Sequence, residues 1–371
     1  MPEGRRRARE LGINIGRFPT GELNAITDVP GVRVGHRNVV FGHGRLVPGE
    51  GPARTGVTVI VPEQLFHDGF INRLFAGHFV LAAAGEMNGS VIIDELGIIE
   101  APIALTNTIS VGVVRDAVLH WLIKRYPSLG LTHDPVAPVV AECDDSYLND
   151  MQGGHVREED VWAALEGASG GPVAEGAVGA GMGMTCFDFK SGLGTASRLV
   201  TVGGATYTLG VLVLTNFGER WACNILGVPV GEEITGWTTT DTVEGSGVIV
   251  VATDAPMLPH HLRQLAKRAA LGFGRAGSYA SYGSGEFVIT FSTANPVSRN
   301  HRRNTMPMDV MIGSRARMNP FYQASIEAVE EAVLNSLLMA ETMEGRDGNV
   351  AYGIPIDELM AALKKYGREA D

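Results

Sequence analysis

Residues 231–253 read GEEITGWTTTDTVEG and then, without a break, SGVIVVAT. The first part, 231–245, has no hydrophobic period and reads as an exposed polar linker. The second, 246–253, reads as a strand. Positions 248–251 are Val, Ile, Val and Val, a run of β-branched apolar residues expected of a strand buried on both faces. A strand of that kind needs an apolar layer on each side, so this junction predicts a layered fold of mixed α and β structure.

The flanking sequence supplies the layers. Upstream, 199–202, 206–215 and 221–226 read as strands in a meander. Downstream, 259–272 (PHHLRQLAKRAALG) has Pro at its start and Gly at its end, as a helix does. Residues 286–292 read as a strand, and 320–344 as a long helix with Ala324, Ala328, Ala332 and Ser336 on one small-residue stripe. Nearer the N-terminus, 23–36 read as turn, short strand, turn, and 56–61, 90–93, 103–105 and 136–143 as strands. Residues 75–86 (FAGHFVLAAAGE) have helical composition. Residues 111–125 place Val114, Val118 and Leu122 on one helical face. A short helix is expected over 158–166, and 170–194 reads mostly as loop. No internal repeat is present.

Composition narrows the class. The 371 residues are 45% hydrophobic and 19% charged, with a net charge of −11. That hydrophobicity argues against disorder, and the acidic balance argues against a nucleic-acid partner. The one basic cluster, Arg5, Arg6, Arg7 and Arg9, reads as a solvated terminus. Cys143, Cys186 and Cys223 are odd in number and widely spaced, which suits a reducing cytoplasm and no disulfide framework. The N-terminal residues have no apolar core of a signal peptide, and no apolar run reaches the ~18 residues of a membrane span.

Several motifs are decoys. Gly167-Ala168-Ser169-Gly170-Gly171 matches G-x-S-x-G, but a nucleophile elbow needs a strand before the serine and a helix after it. Here a helical stretch precedes and a Gly-Pro loop follows. No phosphate-binding glycine motif is present. His260-His261 fall on adjacent helix faces and read as a wet helix start.

Gly245-Ser246 is the informative place. A polar linker ends in Gly-Ser and a buried strand begins at once, an arrangement suited to self-cleavage. The serine hydroxyl attacks the carbonyl before it, an N→O acyl shift gives an ester, and water opens the ester. Glycine at 245 leaves that carbonyl uncrowded. The product carries Ser246 as a new N-terminus, whose α-amine (reference pKa ~7.7–8.0) is able to act as general base for its own hydroxyl. An ordinary loop serine is the alternative.

Ordered segments along nearly the whole chain sharpen that choice. They are LNAITDVPGVRVGH (23–36), NTISVG (107–112), Glu142 with YLND (147–150), GAVGAGMGMTCFDFKSGLGTASR (176–198), TNFG (215–218), Gly245-Ser246 with ATDAP (252–256), and AETMEGRDG (340–348). The chain resembles the L-aminopeptidase D-Ala-esterase/amidase and β-peptidyl aminopeptidase family of self-processing N-terminal-nucleophile hydrolases. The resemblance implies an α/β/β/α sandwich, cut into a large chain, 1–245, and a small chain, 246–371. Ornithine acetyltransferases share that fold but use threonine as nucleophile.

The resemblance also implies roles. Ser246 matches the nucleophile and Asn216 the oxyanion-hole side chain. Ser284 and Glu286 match the pair that orients the nucleophile, and their i, i+2 spacing puts both on one strand face. Glu142 matches the carboxylate that holds the substrate ammonium, and Tyr147 a residue of the same pocket. Cys143 has no matching role and reads as core. No metal or organic cofactor is implied. The expected substrates are short peptides or amino-acid amides, and the expected assembly is a homo-oligomer, a tetramer of processed heterodimers. The preference among L-, D- and β-amino acids stays open. So do two other readings: an acyltransferase on the same fold, and an unprocessed, non-catalytic relative. The sequence departs from the family at Gly247, where a β-branched or aliphatic residue is expected, and over 274–283 (GRAGSYASYG), expected to line the pocket.

Overall fold

A computed structural model describes residues 4–237, 245–300 and 304–368. Two sheets carry the architecture. The first runs Val32–Phe41, Ala53–Pro62, Ile103–Asn107, Val139–Cys143 and the short Met87–Asn88. The second runs Leu193–Val202, Ala205–Asn216, Ser246–Thr253, Gly285–Ser292 and Asn72–Ala83, with Val297–Ser298 at its edge. Its central pair, Ser246–Thr253 and Gly285–Ser292, is parallel, and each member is antiparallel to its outer neighbour.

Three apolar layers hold the sheets. Val248 and Val250 point between them, with Leu105, Leu214 and Ile289. Ile249 and Val251 point the other way, onto helices Pro259–Ala276 and Arg315–Leu338. The outer face of the first sheet, with Val57, Val59 and Val140, is covered by Val111–Arg125 and Glu158–Glu166. The result is the expected α/β/β/α sandwich, and the 246–253 strand is buried on both faces. The small-residue stripe lets the long helix approach the sheet: the backbone at Gly194 lies against Ala332, and Thr215 Oγ1 meets Ser336 Oγ at 2.8 Å.

Several expectations are corrected. Residues 75–86 are not helical; they belong to the strand Asn72–Ala83, paired with Gly285–Ser292. Leu74 and Ala76 face the inter-sheet layer and Phe75 and Phe79 the helix layer, so pairing overrides an alanine-rich composition. Gly77 is bare because a Cβ there would strike the Arg263 backbone. Residues 90–93 are helical, within Ser90–Leu96, a helix closed by left-handed glycines at 89 (φ +77°) and 97 (φ +67°). The expected strand over 221–226 is a turn and loop around the buried Arg220, whose guanidinium donates to the carbonyls of Phe187, Asp188, Ile234, Gly236 and Trp237.

Part of the expected linker is also structured. Val230–Glu233 form a short helix, with Val230, Gly231 and Ile234 buried. Residues 238–244 of that linker lie outside the described residues. His261 is buried: its ring accepts the Leu258 N–H at the helix start and lies 3.9 Å from the His260 ring. The basic cluster is an anchor. Arg7 donates to the carbonyls of Asn24 and Thr195 and pairs with Glu175, while Arg9 pairs with the buried Glu331.

Candidate active site

Register brings the site together. Asn216 ends its strand directly opposite Ser246, which begins the next, and Gly285 stands opposite Ser246 on the other side. One end of three neighbouring strands therefore presents Asn216, Ser246, Ser284 and Glu286. The loop after Val139–Cys143 reaches the same point from the other sheet.

Ser246 is almost fully buried, at 5% exposure. Its Oγ accepts from the Asp144 backbone N–H at 3.3 Å and from Asn216 Nδ2 at 3.4 Å, both long contacts. The Asn216 amide is oriented by its other partners. Oδ1 accepts the Thr185 N–H at 3.0 Å and Nδ2 donates to the Asp144 carbonyl at 2.8 Å. The amide nitrogen therefore faces the serine, as a donor must. The Cys143 thiol also lies against the Ser246 hydroxyl, and burial pushes that thiol well above its ordinary range.

The Gly245 carbonyl, next to the serine, accepts the Gly285 N–H at 3.2 Å. Its glycine is sterically required. A Cβ at 245 would lie 2.5 Å from Phe217 Cα and 2.6 Å from the Asn216 carbonyl. The departure at Gly247 has the same kind of cause. A Cβ there would lie 2.6 Å from Phe273 Cε2, because Phe217 and Phe273, with ring centroids 4.5 Å apart, fill that space.

Glu286 Oε1 accepts from Ser278 Oγ at 2.6 Å and from Ser284 Oγ at 3.2 Å. Its Oε2 is buried without a partner among the described residues. Burial raises the carboxyl above its ordinary value, and the two hydroxyls oppose that shift. Such a group is suited to receive one more donor. Asn216, Gly245, Ser278, Tyr279, Ser284 and Glu286 line a cleft of about 180 Å³. Residues 278–281, from the unmatched stretch, do therefore line it.

Glu142 and Tyr147 stand outside this cleft lining. Glu142 Oε1 accepts the Glu86 N–H at 2.9 Å and Oε2 accepts from Thr108 Oγ1; burial raises its carboxyl. The Tyr147 hydroxyl donates to the Val350 carbonyl at 3.4 Å. Cys143 is fully buried core, as expected.

Residue-type reasoning missed the groups that hold the site in shape. Thr185, Asp144 and Gly285 act through backbone N–H groups, which no side chain advertises. Lys190 is fully buried; its Nζ donates to the carbonyls of Gly181 (3.2 Å), Met184 (2.9 Å) and Ser191 (2.6 Å). That clamp fixes the loop carrying Thr185. Burial pulls the ammonium down to about 7, with Asp145 opposing.

A model of peptidase family S58 matches residues 24–351. The chain belongs to peptidase family S58. It is 44% identical to a β-peptidyl aminopeptidase of Sphingosinicella microcystinivorans, over 98% of this chain and 93% of that one. A crystal structure from Pyrococcus horikoshii OT3 superposes with a TM-score of 0.92 at 44% identity, covering 98% of this chain and all (100%) of that one. The L-aminopeptidase D-Ala-esterase/amidase of Ochrobactrum anthropi superposes with a TM-score of 0.90 at 39% identity, covering 98% and 99%. That enzyme is described as a prototype of the serine aminopeptidases and a variant of the Ntn-hydrolase fold. This S58 chain is thus a peptide hydrolase with that layered fold. No described helix is long and apolar enough to cross a membrane.

Proposed function

We propose that this S58 peptidase cuts itself between Gly245 and Ser246 and then works as an N-terminal-serine aminopeptidase. The large chain is 1–245 and the small chain 246–371. The observation that carries the reading is the pairing at the junction: the Gly245 carbonyl is held by the Gly285 N–H, beside a hydroxyl that faces the Asn216 amide.

In maturation Ser246 Oγ attacks the Gly245 carbonyl carbon and the oxyanion forms against the Gly285 N–H. The C–N bond breaks, the Ser246 nitrogen takes the proton, and an ester remains. Water hydrolyses it, leaving a carboxylate on Gly245 and a free α-amine on Ser246. In turnover that amine takes the hydroxyl proton as Ser246 attacks a substrate carbonyl. Asn216 Nδ2 holds the oxyanion, a contact of the kind that contributes ~3–4 kcal/mol to the barrier. The proton passes to the leaving amine, and water releases the acyl group. Ser284 and Glu286 orient the nucleophile, with the unpartnered Glu286 Oε2 the natural acceptor for the new amine. Glu142 takes the substrate ammonium, and Tyr147 belongs to the same pocket.

The substrates are short peptides, amides or esters with a free N-terminus. A β-peptidyl aminopeptidase and an L-aminopeptidase D-Ala-esterase/amidase among the relatives leave L-, D- and β-residues to be compared directly. The working assembly is a tetramer of processed heterodimers, to be checked by light scattering. Three free cysteines suit a reducing cytoplasm.

The test is direct. Purified wild-type protein runs as two polypeptides, the smaller starting Ser-Gly-Val-Ile-Val. Ser246→Ala stays a single folded chain without activity. An uncut wild-type protein with full hydrolytic activity would overturn the reading, and transfer to an added amine in place of water would make the enzyme an acyltransferase.

A further inference from the structure

The cleft is electrostatically one-sided. Asp188, Glu219 and Glu286 line it, and among the described residues no lysine, arginine or histidine does. The three carboxylates are not equivalent. Asp188 Oδ2 accepts the Arg220 backbone N–H at 3.2 Å and is balanced by the charge of the Arg220 guanidinium. Glu286 is buried and its carboxyl is raised toward the neutral form. Glu219 is exposed and built differently. Its Oε2 accepts from Tyr279 Oη at 2.6 Å and from Trp221 Nε1 at 3.0 Å. The two donor rings stack at 5.9 Å with 23° between their planes. These donors hold its carboxyl below the ordinary value, Tyr279 first, so it stays ionised. Glu219 also follows Asn216 by three residues, with Gly218 in the left-handed region (φ +86°) making the turn.

Gly245, whose carbonyl stands at the junction, is one of the lining residues, so a scissile bond there lies beside this field. We propose that Glu219, fixed at the cleft mouth by Tyr279 and Trp221, selects against a negative charge next to the scissile bond. Amides, esters and peptides with a cationic leaving residue are then preferred to dipeptides ending in a free carboxylate. This rests on the hydrolytic reading above. A dipeptide carboxylate lies only a few bonds from the scissile carbonyl, within the ~8 Å screening length at physiological salt. The repulsion is therefore felt, and solvent keeps it modest.

The experiment compares kcat/KM for a dipeptide as free acid and as its C-terminal amide, at about 20 mM and about 300 mM salt. Wild type and Glu219→Gln are run in parallel; glutamine keeps an acceptor for Tyr279 and Trp221. The expected result is an amide preference that falls about 3- to 10-fold in Glu219→Gln, chiefly through KM of the free acid, and falls similarly on adding salt to wild type. Tyr279→Phe, which frees the carboxylate to move, should lower the preference less. A preference unmoved by Glu219→Gln and by salt overturns the role of Glu219. Equal wild-type rates on acid and amide overturn the selectivity while leaving the hydrolase reading intact. Hydrolysis of neither overturns both.

Discussion

Asn216 turns its amide nitrogen toward Ser246, 3.4 Å away, because the amide oxygen is already taken by the Thr185 N–H at 3.0 Å. Reversed, the amide would offer the hydroxyl an acceptor and could not hold an oxyanion. Two backbone groups, the Thr185 N–H and the Asp144 carbonyl that accepts from Nδ2 at 2.8 Å, thus fix the polarity of the site.

Asn216→Ala is expected to leave the fold and KM nearly unchanged and to lower kcat about 10²–10³-fold. Steady-state kinetics on an aminoacyl-nitroanilide would check it. A raised KM with normal kcat would make Asn216 a binding residue.

Glu142→Gln should lower kcat/KM by roughly 10²-fold, the scale of one lost charge-assisted contact. N-acetylated substrates should be poor for wild type, and the two effects should not add. Equal wild-type rates on free and acetylated substrates would remove Glu142 from ammonium binding.

Gly247→Ala should destabilise the protein by ~1–3 kcal/mol, because its new Cβ meets Phe273 at 2.6 Å. Phe273→Leu in the same chain should recover part of that loss. The measurement is urea unfolding of unprocessed Ser246→Ala protein, so that one chain is followed. Additive losses in the double variant would show that the clash is not the cause.

Asp145 gives a pH signature. Burial lifts its carboxyl from 3.8 to about 7, against hydrogen bonds from Thr55 and Asn149. The folded state holds a proton that the unfolded chain releases, so this contribution is complete below pH ~4 and fades as pH rises toward 7. Asp145→Asn should flatten that part of the stability profile between pH 4 and 7. Lys190 runs the other way: its ammonium is lowered to about 7, so its contribution grows as pH rises above 7. An unchanged slope in Asp145→Asn would assign the pH dependence to other groups.

The two-faced strand at 246–253 was readable because β-branched residues at consecutive positions suit burial on both sides. The Gly-Ser junction stands out in the sequence because the proposed self-cleavage needs those residue types, and what the structure adds is its place at the start of the two-faced strand. The strand Asn72–Ala83 was not, since Leu and Ala suit a helix equally and only its partner Gly285–Ser292 decides between them. The glycine at 247 reads only as a departure from the family in the sequence, because the two rings that exclude a side chain there, Phe217 and Phe273, lie far from it along the chain. The donors from Thr185, Asp144 and Gly285 were invisible in principle, because every residue but proline carries the same N–H.

The order of strands in the second sheet has a consequence for handling the protein. Ser246–Thr253 and Gly285–Ser292 lie between Ala205–Asn216 on one side and Asn72–Ala83 on the other. If the proposed cut opens the Gly245–Ser246 bond, the two pieces remain laced through a shared sheet, and neither can leave without breaking a central ladder. Unfolding then becomes a dissociation, and recovery a bimolecular encounter of two chains that no longer share a tether. On the proposed reading, refolding yield should depend on concentration for the cut form and not for Ser246→Ala, and the cut would be a one-way step in the life of the molecule.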